Sequence, residues 1–280
     1  MKKKYYIKDI QKFKNAKNKF ATITAYDYLS AKLVNELSFP LLLVGDSASM
    51  VVYGYDDTTP ISMDEMILIL KAVVRGAKKP VIVADMPFMS YQPSVELAIQ
   101  NAGRFIKNGA NAIKLEGGDI DTCNKVSSVV RAGIPVMGHI GLMPQSINLT
   151  SGYSVQGKGE RQAKQIIEEA NSLYNSGAFS IVLEGIPADL AKLISNQVPI
   201  PTIGIGSGKN CDGQIQVFHD VVGLYSNFIP RHAKQYLNGY SKLLGGLKQY
   251  QSEVKTMDFP SSDHSTNLDK NILEKVSEDT

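Results

Sequence analysis

Along most of the chain, short apolar runs rich in β-branched residues alternate with longer segments whose apolar positions recur every three or four residues. The first run, Ala21-Thr-Ile-Thr-Ala25 after Phe20, reads as a strand. Asp27 then caps a predicted helix with Leu29, Leu33, Val34 and Leu37 as its apolar stripe. Strands are predicted at Pro40 to Val44, Pro80 to Ala84, 111–118, Ile134 to Gly138, the run ending at Glu184, and Pro199 to Ile205. An eighth, carried by the weakest pattern, is placed at Val217 to Leu224. Between them fall helices at Met63 to Arg75, opened by the capping-box pair Ser62 and Glu65, at Pro93 to Asn108, Ile120 to Ala132 and Arg161 to Ser176, and one opened by Pro187. Pro230 to about Val254 also reads as helical. Two stretches, Ala48 to Pro60 and 147–160, are too irregular for either element and read as long functional loops.

This alternation, repeated at this count, favours a closed parallel (β/α)8 TIM barrel over an open sheet. It predicts a single catalytic domain over 20–258, preceded by a lysine-rich leader at 1–19 and followed by a polar, disordered tail at 259–280. In such a barrel, chemistry is expected at the C-terminal ends of the strands.

Acids recur at those ends. Four apolar runs finish in a carboxylate: Asp46 followed by Ser47, Asp85, Glu116 and Glu184. Each lies in phase with the residues two and four before it. In the fourth strand the period of two also sets Lys114 on the face of Glu116. One Asp after a strand is most simply a helix cap or an ion-paired surface group, but Glu caps poorly, and a buried Lys beside a buried Glu must be matched or used. Converging carboxylates raise one another's pKa unless a cation holds them ionised, and an oxygen-rich site of this kind suits Mg2+. Asp46, Asp85 and Glu116 are therefore the candidate metal side. Lys114 is open to neutralising Glu116, to forming a Schiff base, or to steadying a developing enolate oxygen. Spacing leaves Glu184 equally consistent with a general base and with a salt bridge to a loop cation. His139, after the fifth strand, suits a hydrogen-bonded structural role as well as proton transfer or metal ligation. The glycines of 204–208 admit a phosphate or a close ligand approach, without the context of a nucleotide fingerprint.

Composition narrows the partners. The 280 residues are 43% hydrophobic with a formal charge of +3, which demands neither nucleic acid nor an anionic membrane. No run is long enough to span a bilayer, the leader has no secretory apolar core, and two cysteines make no disulfide framework, so a cytoplasmic location is expected.

Several motifs carry a resemblance: Thr24-Ala-Tyr-Asp-Tyr28, Leu43-Val-Gly-Asp-Ser47, Ala84-Asp-Met-Pro-Phe-Met89, Ile113-Lys-Leu-Glu-Gly-Gly118, Gly138-His-Ile-Gly-Leu-Met-Pro-Gln-Ser146, Gly204-Ile-Gly-Ser-Gly208 and Cys211-Asp-Gly-Gln-Ile215. In this order they resemble the 3-methyl-2-oxobutanoate (ketopantoate) hydroxymethyltransferase family. The resemblance implies a barrel of the phosphoenolpyruvate/pyruvate type, Mg2+ dependence and a homo-oligomer, usually a decamer. It implies transfer of the one-carbon unit of 5,10-methylenetetrahydrofolate to 3-methyl-2-oxobutanoate, giving 2-dehydropantoate. By the same resemblance, Asp46, Asp85 and Glu116 are the metal-side acids, Asp46 with Ser47, Asp85 and Lys114 contact the keto acid, and Glu184 is the proton acceptor. A lyase or mutase of the same barrel type, or a non-catalytic barrel, remains the alternative that the fold alone does not exclude.

Overall fold

The structure is a computed structural model that describes residues 4–150, 152, 154–225 and 229–278. Its elements in order are α1 (Ile7–Asn15), β1 (Phe20–Thr24), α2 (Tyr28–Leu37), β2 (Leu41–Val44), α3 (Ala48–Val51), α4 (Met63–Gly76), β3 (Val81–Asp85), α5 (Val95–Lys107), β4 (Ala112–Glu116) and α6 (Ile120–Arg131). There follow β5 (Val136–Gly141), a 3-10 turn at Pro144–Ser146, α7 (Ile147–Thr150), α8 (Glu160–Asn175), β6 (Ser180–Glu184), α9 (Ala188–Gln197), β7 (Thr202–Ile205) and β8 (Gly213–Gln216). The C-terminal part carries α10 (Phe218–Val222), α11 (Gly239–Thr256) and α12 (Lys270–Glu278).

All eight strands pair in parallel with their sequence neighbours, and β1 closes the cylinder by pairing with β8. Alternation along each strand divides the core in two. Leu41, Leu43, Val81, Val83, Ala112, Met137 and Val182 fill the inside of the barrel, while Leu42, Val44, Ile82, Ala84, Ile113, Leu115 and Ile140 pack outward against the helices. The predicted caps form: Asp27 Oδ1 accepts from Ser30 N at 2.7 Å, and Ser62 with Glu65 closes a capping box on α4.

The chain departs from expectation in five places. The leader is no free segment, because α1 lies across the base of the barrel with Ile10 fully buried among Phe20, Leu41 and Val81. The lysine-rich composition hid a helix held by one apolar face and by Lys14, whose Nζ lies 2.9 Å from Asp212 Oδ2. Of the predicted α2 stripe Val34 is buried, beside Ala31, whereas Leu29, Leu33 and Leu37 face outward. The two loops read as irregular each contain one helical turn, α3 and α7, although Ser151 and Tyr153 of the second lie outside the described residues. The eighth strand is Gly213–Gln216, reached from β7 without an intervening helix, and the apolar run placed there instead forms α10. A short β-branched run does not by period alone separate strand from helix. Finally, the helix expected from Pro230 begins only at Gly239, as α11.

Candidate active site

Four consecutive strands build a row of interacting side chains at the C-terminal mouth. Asp85 ends β3 and Lys114 lies opposite it in β4, with Lys114 Nζ 2.6 Å from Asp85 Oδ1. The same ammonium lies 3.1 Å from His139 Nδ1 on β5, and His139 Nε2 lies 3.4 Å from Glu184 Oε2 at the end of β6. Glu116 flanks the row, with its Oε1 3.5 Å from His139 Nδ1 and 3.8 Å from Lys114 Nζ. Asp85, Glu116 and Glu184 reach the mouth by strand phase, since each follows the inward residues Val83, Ala112 and Val182 by two or four positions. His139 also does so, as an inward residue within a strand longer than its pattern suggested, not as a loop residue after it.

Asp46 arrives differently. The inward residues of β2 are Leu41 and Leu43, so a continued strand would turn Asp46 outward, in phase with Leu42 and Val44. The chain instead turns at Gly45 into α3, and Asp46 N donates to Asp85 Oδ2 at 3.2 Å. Its neighbour Ser47 places Oγ 2.8 Å from the Tyr26 hydroxyl.

A lysine has only donors, so His139 Nδ1 accepts from Lys114 and its proton sits on Nε2, which is buried 3.4 Å from Glu184 Oε2 without a hydrogen bond. Burial and the adjacent Lys114 charge hold the imidazole pKa below its ordinary value, which keeps the ring neutral. Burial opposes the Lys114 charge, but Asp85, Glu116 and Asp46 outweigh it and raise its pKa. Burial and the charge of Asp85 push Asp46 up to about 7. Glu116 is raised well above the ordinary range by burial, with Asp46 and Asp85 adding to the shift and Lys114 opposing it.

The donor chemistry fits a hard divalent cation. Asp46, Asp85 and Glu116 are nearly fully buried around one ammonium, and the raised pKa values of Asp46 and Glu116 show that this cation does not balance them. Among the described residues, however, no three His, Cys, Asp or Glu side chains converge as a finished ligand cage. Part of the carboxylate oxygen set is held by protein donors.

Sequence reasoning gave no role to the chief of these donors. Gln145, from the 3-10 turn after β5, donates its side-chain Nε2 to Asp46 Oδ2 at 2.8 Å and its backbone N–H to Glu116 Oε2 at 3.1 Å. Tyr91, after β3, places its hydroxyl 3.1 Å from Gln145 Oε1, from Glu116 N and from Glu116 O. The signal was a glutamine directly after a proline at a strand's C-terminal exit, where a solvated loop residue is the simpler expectation.

A family model described as ketopantoate hydroxymethyltransferase matches residues 4–262. The chain belongs to the ketopantoate hydroxymethyltransferase family. Members of this family are transferase enzymes of the pantothenate pathway, and the resemblance read from the motifs is thereby borne out. A 3-methyl-2-oxobutanoate hydroxymethyltransferase of Carboxydothermus hydrogenoformans is 51% identical over 271 residues, covering 96% of this chain and 98% of the relative. One from Thermosipho melanesiensis is 52% identical over 257 residues, covering 91% and 97%. Among solved structures, phosphonopyruvate hydrolase aligns with a TM-score of 0.60 at 12% identity, over 98% of this chain and 96% of that one. 2,3-Dimethylmalate lyase, a member of the PEP mutase/isocitrate lyase superfamily, aligns with a TM-score of 0.58 at 14% identity, over 98% of each chain. At these identities the likeness establishes the TIM-barrel fold of this ketopantoate hydroxymethyltransferase family member and nothing finer.

Proposed function

We propose that this chain transfers the hydroxymethyl unit of 5,10-methylenetetrahydrofolate to 3-methyl-2-oxobutanoate, giving 2-dehydropantoate, the first committed step of pantothenate and coenzyme A synthesis. The observation that carries this reading is the row Asp85, Lys114, His139, Glu184, in which a fixed cation and a carboxylate base are linked by a neutral imidazole. It supports a stabiliser of negative charge and a proton acceptor on either side of one ring.

In this reading Glu184 accepts the proton from C3 of the keto acid, and His139 Nε2–H orients its carboxylate. The Lys114 ammonium steadies the enolate oxygen left by that proton, and C3 forms a bond to the one-carbon unit as its two bonds to the folate nitrogens break; water supplies the product hydroxyl, and the C3 proton and one from water go to the nitrogens of the departing tetrahydrofolate. Asp46 with Ser47, Asp85 and Lys114 contact the keto acid. Asp46 and Asp85, with Glu116, would hold Mg2+, which supplies Lewis-acid polarisation of the keto-acid oxygens when bound. The enzyme works as a homo-oligomer in the cytoplasm, with these two substrates and further copies of itself as its partners. No described helix is long and apolar enough to cross a membrane.

The test is formation of 2-dehydropantoate from the two substrates with Mg2+ and then with excess chelator. Product that vanishes with chelator supports the reaction and the metal together. Mg2+-dependent exchange of the C3 proton into heavy water without product would retain the enolate chemistry and remove the folate. Glu184→Gln is expected to lower turnover at least 100-fold, and full activity in that variant would exclude Glu184 as the base.

A further inference from the structure

The Gln145 amide is fully committed. Nε2 donates to Asp46 Oδ2 at 2.8 Å and to Met86 O at 2.8 Å, while Oε1 accepts from Tyr91 Oη at 3.1 Å and Gln92 Nε2 at 3.0 Å. Two donors and two acceptor bonds exhaust its capacity, so the amide has one orientation, with nitrogen towards Asp46. Gln145 is 4% exposed, and no water competes for these bonds at low cost. Its backbone N–H holds Glu116 Oε2 at the same time. A single residue of β5's exit turn thus grips acids delivered by β2 and β4.

Asp46 needs such a grip more than the others. It comes from a turn after β2 and not from strand phase, so the barrel wall alone does not aim it. With Oδ2 taken by Gln145, Oδ1 is the oxygen left without a hydrogen bond among the described residues. The carboxylate is held in one rotamer with one oxygen committed and the other offered to the mouth.

We propose that Gln145 is a positioning residue that fixes Asp46, through its side-chain amide, in the orientation that binds the divalent cation and the keto acid. This rests on the metal reading given under Proposed function. Its role is separable from a structural one, because the backbone bond to Glu116 survives any side-chain substitution. Removing the amide releases Asp46, and with it Met86 O, Tyr91 and Gln92, while Glu116 stays held. Gln145→Met keeps the length and bulk of the side chain and removes both donors.

The test uses the full chain and Mn2+ as a paramagnetic probe with the same oxygen-donor preference. Free Mn2+ is titrated by electron paramagnetic resonance against the wild type and Gln145→Met, alongside melting temperature and steady-state kinetics. A hydrogen bond to a charged group supports an expected loss of about 10-fold in Mn2+ affinity. KM for the keto acid should rise by a similar factor, more than kcat falls, with a melting temperature within a few degrees of wild type. Unchanged affinity and KM, within twofold, in a folded variant would overturn the proposal. If Gln145→Met does not fold, Gln92→Leu removes one of the two bonds that the amide oxygen accepts. A loss of about 3-fold in Mn2+ affinity there supports the proposal, and no change overturns it. Wild type that binds no Mn2+ would sink the metal reading first and this inference with it, an outcome distinct from a wild type that binds and a variant that binds equally.

Discussion

Lys114 is held at 2.6 Å from Asp85 within a nest of carboxylates, and almost none of it meets solvent. Removing such a cation leaves buried negative charge that the fold must protonate or expel. Lys114→Met is therefore expected to destabilise the protein by about 3 kcal/mol in urea titration as well as to abolish turnover. A variant as stable as wild type would show that the acids are neutral in the free protein. Asp46 gives a second prediction, for the protein in chelator. Its pKa is about 7 in the folded chain against an ordinary 3.8, so between these values the folded state holds a proton that the unfolded state releases. The contribution of Asp46 to stability is thus most favourable below about pH 4 and is lost as pH rises through about 7. Melting temperatures measured from pH 5 to pH 8 should fall more steeply for wild type than for Asp46→Asn, and parallel slopes would refute the shift.

At this scale the sequence was readable where strand phase carried the residue. Asp85, Lys114, Glu116 and Glu184 stand on inward positions that a period of two picks out. Asp46 was picked for the right end of the right strand, but its phase points outward and only the turn at Gly45 brings it in. Gln145 and Tyr91 were invisible, because their importance lies in contacts between loops 54 residues apart, which no local pattern encodes.

Among the elements, β5 does the most for the site. It carries His139, and its last residue, Gly141, has a φ of +98°, beyond which Leu142 N donates to Glu184 O at 2.8 Å. A Cβ on Gly141 would stand 2.3 Å from that same Glu184 carbonyl oxygen. Gly141→Ala is expected to cost about 2 kcal/mol and to displace Glu184, so that kcat falls at least tenfold while Mn2+ affinity is unchanged. Equal loss of metal binding would mean that the damage had spread beyond β6. By contrast, α1 is remote from the chemistry. Ile10→Ala should leave a cavity under the barrel costing about 3 kcal/mol, with KM unaltered in a chevron-matched activity assay. The barrel's alternation was legible over β1 to β7 because each strand is a mainly apolar run. The eighth, Gly213–Gln216, is half polar, and it follows β7 without the helix that would have announced it. α1 escaped notice because one apolar face among lysines looks like a solvated segment until there is a barrel base to bury it.

At the scale of the whole molecule, α2 and α11 each leave an apolar face uncovered. Leu29, Leu33 and Leu37 line the outside of α2, and Leu243, Leu247 and Tyr250 stand exposed on α11, which buries little of itself against the barrel. The proposed association with further copies would bury such faces. Leu243→Glu combined with Leu247→Glu is expected to reduce the mass measured by light scattering, and an unchanged mass would place the interface elsewhere.

The barrel also has a stopper. With α1 seated across one end and the interior filled by Leu41, Val81 and Met137, the described residues close the cylinder at the end away from the mouth where Asp85 and Lys114 lie. Everything that enters must leave by the same door. A small acid seated against Lys114 lies beneath any larger molecule that follows it, so arrivals and departures are queued. Bisubstrate kinetics should accordingly be ordered, with the keto acid entering first and the hydroxymethylated acid leaving last.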